Sequence, residues 1–90
     1  MTTPTNAQIF AQAGEALFGS HWPAGMANLL GWPLDERGQN RTTQRIRAAA
    51  GRGEAYRIAP GVWREIAEAM RVRAQTLAHL QAMAEDLAQE

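Results

Sequence analysis

Apolar residues recur along this chain at steps of three and four, the period of an amphipathic helix rather than of a strand. In Asn6–Phe18, the residues Ile9, Phe10, Ala13 and Leu17 form such a stripe; Thr5 or Asn6 can cap it and Gly19 closes it. A second, short helix is expected after Ser20, a suitable N-cap, with Pro23 in its first turn and Trp22, Met26, Leu29 and Leu30 as its buried face. Gly31 and Pro33 stop it. The polar stretch GWPLDERGQN (31–40) reads as a connection longer than a tight helix–helix turn, with Trp32 and Leu34 tucked into the core.

A third helix is predicted from Asn40 or Arg41 to near Ala50, with Asn40 as its cap. Thr43, Ile46, Ala49 and Ala50 form its inner stripe, leaving Arg41, Thr42, Gln44, Arg45 and Arg47 outside. Residues 52–59 form a further connection anchored by Tyr56 and Ile58, with two short strands as a poorly supported alternative. Pro60 opens a long last helix reaching toward Gln89, striped by Trp63, Ile66, Met70, Leu77, Leu80 and Leu87 and interrupted at Arg73. The expected fold is all-α, of about four helices with a long C-terminal one. Residues 1–70 are expected to form the domain and 71–90 a C-terminal extension. An apolar face of Leu77, Leu80, Met83 and Leu87 beyond the domain predicts pairing between subunits, hence a homodimer.

Composition narrows the function. The 90 residues contain no cysteine, so neither a disulfide framework nor a thiolate metal site is available. His21 and His79 lack zinc-ligand spacing, and no cofactor is implied. No uncharged apolar run long enough to cross a membrane occurs, and MTTPTNAQ has no secretory character, so a cytoplasmic location is expected. Ser20–His21 are chain neighbours without a third catalytic partner, Glu65 and Glu68 read as a solvated helix face, and GRGEAY is no phosphate loop. An enzyme is therefore not expected.

The formal net charge is zero, but its distribution is uneven. Residues 1–36 carry three acids and no base; residues 37–57 carry six arginines against Glu54, a balance of +5; residues 58–90 carry three arginines against five acids. Positive charge gathered in one segment is the electrostatic footprint of a nucleic-acid-binding face. Within it, Gln39, Asn40, Arg41, Thr42, Gln44 and Arg45 combine the residue types that read base edges, arginine on guanine and glutamine or asparagine on adenine. Arg37, Arg47, Arg52 and Arg57 would contact phosphates, and Thr42 with the helix N-terminus could hold another.

The pieces GEALFGSHW (14–22), MANLLGW (26–32), RTTQRIRAA (41–49) and APGVWREIAE (59–68) resemble, in this order, small helix-turn-helix proteins of the lambda-repressor/Cro type from bacteria and their phages. The resemblance implies that the helix at about 40–50 enters the major groove of double-stranded DNA. It also implies base-reading roles for Gln39, Asn40, Arg41, Thr42, Gln44 and Arg45, and a transcriptional regulator, most simply a repressor. Two departures stand out: Pro33–Gln39 lengthens the turn, and Thr43 occupies a position where the family has an aliphatic residue. The competing expectation is a protein-interaction module or phage-encoded inhibitor using the arginine cluster and the long last helix.

Overall fold

The chain's first helix begins where Thr5 and Gln8 close a capping box: the Gln8 amide donates to the Thr5 hydroxyl at 3.1 Å and the Thr5 amide donates to Gln8 Oε1 at 3.0 Å. The computed structural model describes residues 3–89, which form α1 (Asn6–Phe18), a 3-10 turn (Gly19–His21), α2 (Trp22–Leu29), α3 (Arg41–Gly51) and α4 (Pro60–Ala88). Among the described residues there is no strand; the architecture is three short helices and one long C-terminal helix.

The buried face of α1 is Ala7, Phe10, Ala13, Gly14 and Leu17. Phe10, Ala13 and Leu17 are buried as expected, whereas Ile9, expected inside, is 43% exposed, because the buried face extends to its other edge, where the small Ala7 and Gly14 allow close approach. Gly14 shows why: a Cβ there would sit 2.7 Å from Cε3 of the Trp22 ring. Phe10, fully buried, is the centre of the core. The Trp22 ring meets it edge-on at 6.0 Å, the Trp32 ring stacks at 6.3 Å and the Trp63 ring meets it edge-on at 6.3 Å. These three rings come from α2, from the connection after it and from α4.

Ser20 does not cap α2. The chain runs into α2 directly from the 3-10 turn, the Trp22 amide donates to the Gly19 carbonyl, and His21 stands at the cap without a side-chain bond. The end of α2 is a Schellman motif: Gly31 adopts φ +71°, its amide donates to Asn28 O at 3.3 Å, and the Trp32 amide donates to Ala27 O at 2.8 Å. That turn aims Trp32 at Phe10, whereas Leu34, expected in the core, stays exposed. Helix α3 buries Thr43, Ile46 and Ala49 against α1 and α2. Thr43 keeps its hydroxyl satisfied by donating to Asn40 O at 3.0 Å, so a polar residue sits in an otherwise apolar stripe without an orphaned group.

Instead of strands, residues 52–59 are held by Asn6. Its Oδ1 accepts from the Tyr56 amide at 2.8 Å, and its Nδ2 donates to the Tyr56 carbonyl. Tyr56 and Ile58 then pack on the core as expected. Helix α4 contributes Ile66 to the buried core and Val62, Trp63, Ala69 and Met70 around it. From Arg71 to Gln89 every residue is exposed. At 1.5 Å per residue this helix is about 44 Å long, comparable to the longest dimension of the described chain, 49 Å.

Gly14→Ala should destabilise the fold by about 1–3 kcal/mol despite alanine's better helix propensity, because the Trp22 ring cannot retreat. Gly51→Ala, where nothing lies within 4 Å of the added atom, should be neutral or stabilising by up to about 1 kcal/mol. Urea unfolding of the two variants checks the contrast.

Candidate nucleic-acid interface

The outward side of α3 follows from its inward one. With Thr43, Ile46 and Ala49 buried, the helical period turns Arg41, Gln44, Ala48 and Gly51 to the opposite side, with Arg45 and Arg47 on its two flanks. Arg41, Arg45 and Arg47 are exposed, and Thr42 and Gln44 are half-buried. Among the described residues no carboxylate lies within ion-pair range of Arg37, Arg41, Arg45, Arg47 or Arg57. Arg52 differs: at the C-cap of α3, its Nε lies 3.2 Å from a Glu54 carboxylate oxygen. Both side chains are largely solvated, so the pair is weak. Arg57 is exposed on the connection to α4.

Asn40 belongs to the fold rather than to the outward face. It is 8% exposed; its Oδ1 accepts from the Thr43 amide at 3.0 Å, and its Nδ2 donates to Pro33 O at 2.8 Å. Both ends of the amide are used in starting α3 and in tethering the preceding loop, so the expectation that Asn40 offers its amide to a base is withdrawn.

The 33–39 segment, the departure in turn length, is an ordered loop. Asp35 Oδ1 accepts from the Arg37 amide at 2.8 Å and from the Gln39 amide at 3.0 Å. The Gly38 amide donates to Asp35 O at 2.9 Å, and the Asp35 amide donates to Gln39 O at 2.8 Å. Gly38 adopts φ +74°, which the loop's return requires. The loop lies beside the first turns of α3. Asp35 and Gln39 border Arg41 and Gln44 on one side; Arg37 and Gln39 meet Gln44 and Arg47 on the other, together with Ser20 and His21. The structure thus brings Arg37, Gln39, Arg41, Gln44 and Arg47 together and leaves Arg52 and Arg57 at the far end of α3.

Sequence reasoning did not single out Asp35 as the loop's organiser, nor Ser20 and His21 as neighbours of the α3 face. The Asp-x-x-Gly spacing of Asp35 and Gly38 is a turn signature and carried the first signal; nothing local carried the second. The shifted ionisable groups lie elsewhere, on α4. The Glu68 carboxyl is held below its usual range by the hydrogen bond from Arg71, and the Arg71 guanidinium is raised in turn by that bond.

Asn40→Ala removes the cap and the loop tether, and should cost about 1–2 kcal/mol of folding stability. Gln44→Ala on the outer side should stay within about 0.5 kcal/mol of the parent; chemical denaturation distinguishes them. No family model, curated protein or solved structure matches the chain.

Proposed function

We propose that this protein is a sequence-specific regulator of transcription that binds double-stranded DNA through α3, most simply a cytoplasmic repressor of the helix-turn-helix type in a bacterium or an infecting phage. The observation that carries the reading is the division of α3 into a buried stripe and an exposed cationic side on which, among the described residues, no carboxylate is paired to Arg41, Arg45 or Arg47. Arg41 and Arg45 suit guanine, and Gln44 and Gln39 suit adenine. Ala48 and Gly51 keep the far end of that side low, which favours close approach to a groove. With Asn40 satisfying the Thr43 amide, the Arg41 and Thr42 amides at the helix start are free to meet a phosphate. Arg37, Arg47, Arg52 and Arg57 contribute backbone contacts, that of Arg52 being weakened by Glu54.

The acting species in this reading is a homodimer paired through α4. The exposed Leu77 continues the helix side on which Ile66 and Met70 meet the core, and Leu80, Leu87 and Met83 lie progressively round from it. Arg73 lies at one end of the exposed stretch, beside Arg71 already paired to Glu68, and Glu85 and Asp86 lie at the other. An antiparallel pair sets these ends of opposite sign side by side, whereas a parallel pair sets like charges together.

Selection of bound duplexes from a random pool should return a two-fold symmetric motif. Arg45→Ala should weaken binding to that motif by about 1–3 kcal/mol and relax base choice at one position per half-site. No binding to random duplex even at low salt would overturn the reading and favour a protein-interaction module, because counterion release makes low-salt binding obligatory for a cationic DNA face. Leu80→Glu combined with Leu87→Glu should yield a folded monomer in sedimentation, since both side chains are exposed in the isolated chain. A parent chain that sediments as a monomer at tens of micromolar would overturn the dimer and leave the DNA face standing.

A further inference from the structure

Between the 33–39 loop, the turn before α2 and the outer edge of α3 lies a concave polar site of about 210 Å³. Its polar lining is Ser20, His21, Arg37, Gln39, Gln44 and Arg47, drawn from three separate segments of the chain. None of its lining residues is acidic. The nearest acids in sequence are Glu36 and Asp35, and neither lines it: Glu36 is exposed and borders a different depression, while Asp35 Oδ1 accepts from the Arg37 and Gln39 amides. A concavity lined by two arginines, a histidine, a serine and two glutamines, with no acidic residue in its lining, suits a tetrahedral oxyanion. Its volume leaves room for a phosphate group.

We propose that this site binds a phosphate group, with Arg37 and Arg47 as the charged arms and Ser20, His21, Gln39 and Gln44 as the surrounding hydrogen-bonding groups. The loop is the device that builds it. Asp35 fixes the Arg37 and Gln39 backbone, and Asn40 ties the loop's start to the first turn of α3 through Pro33 O. Arg37 thereby lines the same concavity as Arg47, although ten positions separate them in the sequence. The inference deepens the DNA-binding reading, on which its backbone form rests: the phosphate is either one of the duplex backbone beside the groove entered by α3, or a free phosphate ion competing for that place.

Two measurements on the full chain test it. In the first, inorganic phosphate is titrated at constant ionic strength against chloride, without DNA, and the amide and side-chain NMR shifts of residues 20–21, 37–39, 44 and 47 are followed. Saturable shifts confined to these residues, lost in Arg37→Ala and kept in Arg64→Ala, are expected. In the second, the salt dependence of binding to a random duplex is compared for the parent, Arg37→Ala and Arg45→Ala. If the backbone is the source, Arg37→Ala lowers the log–log slope by about one and weakens all sequences alike. Phosphate-induced shifts with an unchanged slope assign the site to the free ion. No saturable phosphate shift together with an unchanged Arg37→Ala slope overturns the proposal. In that case an Arg45→Ala loss on a selected motif still upholds the DNA-binding face, whereas indifference of both variants overturns the two readings together.

Discussion

A single phenylalanine holds this small fold together. Phe10 is fully buried, and the rings of Trp22, Trp32 and Trp63 converge on it from α2, from the connection after α2 and from α4. Each aromatic pair adds about 0.5–1.5 kcal/mol beyond its buried area, a large contribution where a short chain buries little surface. The tryptophans belong to segments with no hydrogen-bonded sheet to align them, so ring packing sets their relative position. Gly14 belongs to the same arrangement, because the Trp22 ring occupies the space that a Cβ would need.

The orientation of α3 is a consequence of that core. Thr43, Ile46 and Ala49 dock on α1 and α2, and the arginines can then point only outward. Polar side chains complete the placement. Asn40 starts α3 and tethers the loop before it, and Asn6 clamps both backbone groups of Tyr56 on the loop after it. Gln8 joins its capping role at Thr5 to a bond from its Nε2 to Ala50 O at the end of α3. Side-chain amides thus do for the irregular segments what backbone ladders do in sheet proteins, and the cationic side of α3 is flanked by ordered backbone.

Helix α4 divides at Met70. Its first part seals the core with Trp63 and Ile66; its remainder is exposed along its whole circumference and still carries large apolar side chains. In proteins most helical stability comes from the tertiary packing of an apolar face rather than from propensity. In the proposed dimer a partner helix supplies that packing.

Helix existence and type were legible in the sequence for all four α-helices, because the three-and-four spacing, the glycines at 19 and 31 and the proline at 60 are local signals. The concentration of arginine in 37–57 was equally local. The exposure of Ile9 and Leu34, the withdrawal of Asn40 into a cap and the meeting of Ser20 and His21 with Arg37 and Arg47 were not. Periodicity identifies a helix and roughly which side is apolar, but a turn of the helix by less than one residue decides whether Ile9 or Ala7 lies at the buried edge, and only the neighbouring rings set that turn. In the same way, a list of polar residues names possible hydrogen-bonding groups. Which of them face solvent and which are used up inside is decided by partners far away in the chain, and those are known only once it has folded.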